Sequence, residues 1–364
     1  MKKLLLATAV AALSVSAANA APQIYGKAFV TADYVNADDI VGDDDSNSLQ
    51  INSNASRLGF KGSEALTANT DVVYQLEYGI DIDGGGSQTF KSRDTFLGLA
   101  NKTTGEFRFG RNTSVLDYVN NVTVTEGFWD NLGSNTLADG GVVEALNMQS
   151  DERQDNSIVW IAPKYAGLPL ELALQYSADE SFVSKNSDRN NGYGASLMFD
   201  QGTGFTAGVA YTKDMDASHI QSFNTGDLDS DGDIIFEDIS KGGDVIRGTA
   251  TVDLGKFIAA PVMLGALYQQ TDYDGRDDKE KGLVVSAEMG LANFARPASV
   301  YLQYNKTDNL AGLEDYDSDQ IVLGGKYMYK DNMIAHAYIG QNSADWEDND
   351  ADVFAVGGGL EYLF

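Results

Sequence analysis

A two-residue alternation of apolar and polar side chains, repeated along almost the whole chain, is the strongest constraint on how this sequence can fold. In VVYQLEYGI (72–80), Val72, Tyr74, Leu76, Tyr78 and Ile80 share one parity, and Val73, Gln75, Glu77 and Gly79 the other. Successive side chains of a strand point to opposite faces, so this stretch is a strand with one apolar and one mostly polar face. LPLELALQY (168–176) repeats the pattern, as do 205–212, 246–254 and 298–307. About sixteen such segments fall near 23–35, 49–62, 70–82, 89–101, 105–111, 155–163, 168–178, 191–200, 203–213, 244–254, 261–272, 282–291, 297–307, 319–329, 332–342 and 352–364.

The connections between them alternate in length. Ala166-Gly167, Gln201-Gly202-Thr203-Gly204 and Lys330-Asp331 are short, whereas 36–47, 214–243, 273–280, 308–318 and 343–351 are long and acidic. A soluble sandwich would bury the apolar faces. A barrel in lipid would turn them outward and line its lumen with the polar ones. The short/long rhythm, the even strand count and the tyrosines near strand ends favour an all-β, 16-stranded antiparallel transmembrane barrel. Lipid offers no partner to a free sheet edge, so such a sheet must close. After the first twenty residues no run reaches the roughly 18 apolar residues of a membrane helix. The mean hydropathy of −0.25 suits a chain whose apolar residues alternate with polar ones.

The N-terminus reads as an export signal. Met1-Lys2-Lys3 is basic, Leu4 to Val15 is apolar, and Ala18-Asn19-Ala20 is a small-x-small cleavage site, so residues 1–20 are a signal peptide and 21–364 one barrel domain. Without Lys2 and Lys3, 23 basic residues face 54 acidic ones, a net charge of about −31. That acidity excludes nucleic acid as a partner and favours cations at the surface or lumen. There is no cysteine, hence neither a disulfide framework nor a thiolate metal site.

Several short motifs resemble the general trimeric porins of Gram-negative outer membranes. They are Ile24-Tyr25-Gly26-Lys27, Ser56-Arg57-Leu58-Gly59-Phe60-Lys61-Gly62-Ser63-Glu64, Phe96-Leu97-Gly98-Leu99, Gly105-Glu106-Phe107-Arg108-Phe109-Gly110-Arg111, Asp155-Asn156-Ser157-Ile158 and the terminal Phe364. The resemblance implies a homotrimer in the outer membrane, in contact with lipid and lipopolysaccharide. Its third external loop, about 112–152, would fold inward and narrow the lumen. Such a loop removes the objection that so long a structureless connection would otherwise raise. By position, the basic wall would be Lys27, Arg57, Lys91, Arg93, Arg111 and Arg153. Glu126 and Asp130 have the four-residue spacing of the opposing acids, although Glu126-Gly127-Phe128-Trp129-Asp130 departs from the family's proline-containing version, and Asp139 and Glu144 compete. Arg93 and Asp94 are adjacent, so alternation would turn one of them outward or to an interface. Phe364 would be the signal read by the insertion machinery. The implied function is passive diffusion of ions and small hydrophilic solutes through a transverse field, with cations preferred. A substrate-selective channel, or an adhesin or structural barrel acting through its external loops, is the alternative.

One motif lies outside that pattern. In DLDSDGDIIFED (227–238), Asp227, Asp229, Asp231, Asp233 and Asp238 stand at positions 1, 3, 5, 7 and 12 of a calcium loop, with Gly232 at 6. An ordinary solvated acidic loop is the competing interpretation, and no cofactor is required. The two histidines, His219 and His336, are more than 100 residues apart. No nucleophile–base arrangement is visible, so an enzyme is not expected.

Overall fold

The alternation becomes one closed ladder. The computed structural model describes residues 22–38, 46–84, 90–130, 153–164, 168–178, 191–215, 222–228, 234–238, 243–346 and 349–364. The signal peptide, Ala166-Gly167, Asp139 and Glu144 lie outside them. The strands are β1 (Gln23–Asp38), β2 (Ser46–Ser53), β3 (Arg57–Ala65), β4 (Thr70–Gly79), β5 (Lys91–Asn101), β6 (Gly105–Thr113), β7 (Arg153–Ile161), β8 (Leu170–Ser177), β9 (Gly192–Asp200) and β10 (Phe205–Lys213). They continue as β11 (Ser222–Leu228), β12 (Ile234–Asp238), β13 (Gly243–Asp253), β14 (Val262–Tyr273), β15 (Glu280–Gly290), β16 (Ala298–Asp308), β17 (Tyr316–Lys330), β18 (Met333–Trp346) and β19 (Asn349–Leu363). Every barrel pairing is antiparallel, and β19 returns to β1 with Lys27 opposite Leu363 and Asp38 opposite Asp352. That pairing closes the sheet, so the first and last strands present no free edge to lipid.

Seventeen strands share this sheet, yet they fill sixteen positions. β2 and β3 both pair with β1, Val30 opposite Ser53 and Lys27 opposite Arg57, so together they form one interrupted stave. The sequence reading had 49–62 as one strand. At the break Ala55 takes a positive φ of 46°. The Ser56 hydroxyl stands in for the missing ladder bonds, accepting from Phe29 N at 3.0 Å and donating to Phe29 O at 3.2 Å.

The apolar parity faces outward. On β4, Leu76 is exposed while Glu77, one residue on, is 6% exposed on the inner face. Leu97, Leu99, Leu302, Leu323 and Leu360 are likewise exposed, and Gln303, Asn305 and Gln320 buried. Both described termini sit at one end, together with the turns β3–β4, β5–β6, β9–β10 and β17–β18. There Phe364 exchanges backbone bonds with Gly26, at 2.9 and 3.1 Å, and its ring covers that residue. A Cβ on Gly26 would come within 2.4 Å of the ring, so only glycine seats it.

Two expectations about loops are corrected. The acidic stretch 343–351 is not a long loop: Asp345 pairs with Asp350 and Trp346 with Asn349, so β18 and β19 meet almost directly. Asp345, Asp350 and Asp352 share one face, with Ala344, Ala351 and Val353 buried on the other, and the ladder continues through them. The stretch 214–243 contains a two-stranded sheet of its own, β11 with β12, Ser222 opposite Asp238 and Leu228 opposite Ile234. Asp227 and Asp238 fall on these strands, and Asp229, Asp231 and Asp233 lie outside the described residues.

Candidate functional site

The inner face carries a belt of alternating charge. On β1 the odd residues Tyr25, Lys27, Phe29, Thr31 and Asp33 point inward, because Ile24 and Tyr34 on the other parity are exposed. Lys27 Nζ lies 3.9 Å from Glu361 Oε1 and 5.1 Å above the Phe29 ring. The second oxygen of Glu361 meets His336 Nε2 at 2.9 Å. The direct cross-strand partner of His336 is Lys326. The Lys326 ammonium reaches Glu126 Oε1 at 3.5 Å and lies over the Tyr301 ring.

On the other side of Lys27 stands Arg57, its cross-strand partner. Glu77 accepts from two donors there, Arg93 Nε at 2.8 Å and the Tyr25 hydroxyl at 2.9 Å, and forms an ion pair with Arg57 Nε at 3.9 Å. A register shift resolves the adjacency of Arg93 and Asp94. Leu76 pairs with Thr95 and Tyr78 with Ser92, so both residues oppose Glu77 in a bulge. Arg93 turns to Glu77, while Asp94 accepts from the Thr113 backbone N–H at 2.8 Å and pairs with Arg153 at 3.6 Å.

Three of the expected wall residues are therefore brought together, namely Lys27, Arg57 and Arg93. Arg153 belongs to the Asp94 cluster at the β5–β7 junction. Arg111 shares the outward parity of Phe107 and Phe109 and pairs with the exposed Asp155 at 2.6 Å. Lys91, at the start of β5, is exposed. Among the loop acids Glu126 joins the belt, whereas Asp130 is exposed at the C-cap of a single 3₁₀ turn, Gly127–Trp129. Glu77, Glu361, Lys326 and His336 went unrecognised in the sequence. A carboxylate on the polar parity of a strand looks like any other lumen residue until its neighbours are known.

Residues 114–130 follow β6 and touch the inner parity of successive strands. Val115 N donates to Gln175 Oε1 on β8 at 2.9 Å, and Arg247 Nη1 on β13 donates to Leu116 O at 3.2 Å. Ser286 on β15 donates to Val122 O, and Val124 N donates to Gln303 Oε1 on β16 at 2.8 Å. Phe128 N donates to the Tyr338 hydroxyl on β18 at 3.1 Å, and that hydroxyl donates to Asp33 Oδ1 on β1 at 2.7 Å. Apolar pads accompany these bonds. Val122 packs with Leu267 and Val284, and Phe128 and Trp129 pack with Val322, Val353 and Ala355. Gly340 leaves room for the indole, since a Cβ there would lie 2.7 Å from Trp129 Cε2. Inward-facing Leu267, Val284 and Val322 break the polar pattern of the lumen face, which is the one signal of this docking the sequence carries.

Comparison with known proteins agrees with this architecture. A family model described as Gram-negative porin matches residues 7–349. Outer membrane porin N of Escherichia coli (strain K12) is 26% identical over 388 residues, covering 96% of this chain and 94% of the relative. The anion-selective porin from Comamonas acidovorans superposes with a TM-score of 0.68 at 18% identity, covering 95% of this chain and 100% of that one. The trimer form of in-vitro folded OmpT of Vibrio cholerae gives 0.61 at 14%, covering 95% and 99%.

Proposed function

The chain belongs to the Gram-negative porin family and forms a channel of the bacterial outer membrane, and from that premise we propose that it passes ions and small hydrophilic solutes passively, with a preference for cations. Residues 112–152 act in this reading as the loop that narrows the lumen. What supports it is the series of contacts from Val115 to Trp129 along the inner parity of β8, β13, β15, β16 and β18.

The observation that carries the cation preference is that the basic ladder meets its own carboxylates. Lys27, Arg57, Arg93 and Lys326 stand against Glu77, Glu126 and Glu361. With the wall so nearly balanced, the charge of the rest of the chain decides the potential at the mouth. That charge is about −31 after removal of the leader. Opposed fixed charges beside water orient a solute without holding it, so passage needs no tight binding step. Likeness in fold to an anion-selective porin at 18% identity does not carry the sign of selectivity across, since fixed side-chain charges set it.

The same reading makes the chain a homotrimer in contact with lipopolysaccharide and Phe364 the residue recognised during insertion; residues 227–238 stand outside it as a candidate calcium loop, with a solvated acidic loop as the competing interpretation. Reversal potentials in a potassium chloride gradient test the central claim. Potassium is preferred over chloride, and the preference weakens toward 1 M salt, where the Debye length falls to about 3 Å. A wild-type channel that prefers chloride overturns it.

A further inference from the structure

We propose that Glu361 is a selectivity-determining residue of the pore, the buried carboxylate that cancels Lys27 and so removes one positive charge from the wall ladder. The inference rests on the channel reading above and concerns residues at a corner where β18, β19 and β1 meet. Glu361 is 8% exposed and Lys27 7%. They lie 3.9 Å apart, and the Phe29 ring closes the pair off from the side, 5.1 Å from Lys27 Nζ and 4.7 Å from the imidazole of His336.

His336 holds the second oxygen of the carboxylate. Its Nε2 meets Glu361 Oε2 at 2.9 Å, whereas its buried Nδ1 has no hydrogen-bond partner. Glu361 thus faces the Lys27 ammonium with one carboxylate oxygen and the His336 ring with the other, and its negative charge offsets that of Lys27 at the wall.

Sequence parity alone would count Lys27 as a lumen cation equal to Arg57. Its carboxylate partner makes it different. With the carboxyl replaced by an amide, the Lys27 charge acts on permeating ions without a counter-charge, repelling potassium and attracting chloride. An uncompensated unit charge on the pore wall corresponds to roughly a threefold change in the potassium-to-chloride permeability ratio.

The test is a set of reversal potentials in planar bilayers for wild type, Glu361→Gln, Lys27→Met and the double variant. Glu361→Gln is expected to move the ratio toward chloride by about threefold, Lys27→Met to move it toward potassium by a similar factor, and the double variant to return it close to wild type. Glu361→Gln leaves a buried ammonium unpaired, which destabilises a fold, so each variant is first checked for heat-modifiable migration. If the single amide variant does not assemble, Lys27→Met and the double variant still decide. An unchanged ratio in Lys27→Met, or a double variant as shifted as either single one, overturns the inference. A wild-type preference for chloride would overturn the proposed cation preference instead, and leave these relative shifts readable.

Discussion

At Glu77, Arg57 and Arg93 share one carboxylate while keeping 31% and 23% of their side chains exposed. At Glu361, Lys27 and His336 share another, with 9% and 1% exposed. Chemically the two corners are alike, two nitrogen bases around one acid on adjacent strands. Burial separates them. The arginines keep part of their side-chain surface in water, so their charges remain available to the lumen. In the enclosed corner the charges cancel locally, and removing one partner is what becomes expensive. The enclosure follows from neighbours: Tyr338 lies two residues from His336 on the same face, and it receives the Phe128 N–H of the docked segment. Balanced charge can thus serve as a field source in one sector and as packing in the next.

The largest effect that could break this comparison comes from the segment docked on the second sector. Trp129 is 1% exposed and donates from Nε1 to Ala355 O at 3.4 Å. Trp129→Ala removes contact worth about 3–5 kcal/mol for a fully buried aromatic. Single-channel recordings should then show larger and noisier conductance, as the segment leaves the wall. Unchanged conductance would mean that this segment does not narrow the lumen.

A smaller effect sharpens the contrast in exposure. Arg57→Gln and Arg93→Gln should each raise the potassium-to-chloride ratio by about twofold at 0.1 M salt, and the gain should fade as the Debye length shrinks from about 10 Å to about 3 Å at 1 M. The shift in Lys27→Met should persist at high salt, since buried charges are screened less. Equal salt dependence in both sectors would show that exposure is not what distinguishes them.

The smallest effect concerns neither sector but the acidic segment between β11 and β12. If 227–238 binds calcium, the ion should slow proteolysis there, and Asp229→Ala with Asp231→Ala should abolish the slowing. Equal cleavage with calcium and with chelator would leave only a solvated acidic loop.

The barrel was legible because its signals are local. Parity within VVYQLEYGI, short turns such as Gln201-Gly202-Thr203-Gly204 and the regular recurrence of strands need no knowledge of distant residues. Strand ends were read too short where acids continue the ladder, as at Asp345 and Asp350, because composition masks a pattern that pairing maintains. The belt was legible only in part. Lys27 and Arg57 came from motifs that resemble a family and Arg93 from its position among them, and their counter-charges came from nowhere in the sequence. Glu361 stands more than 300 positions from Lys27, and Tyr338 stands 210 from Phe128 and 305 from Asp33. The inward turn of Arg93 depends on a bulge opposite Glu77, which the neighbouring strand imposes. By itself, then, the sequence determined a closed sheet with an apolar outside, since side-chain direction along a strand is a property of the backbone. Tertiary structure alone decided which charges cancel, because closing the sheet is what brings the last strand beside the first and sets Glu361 against Lys27.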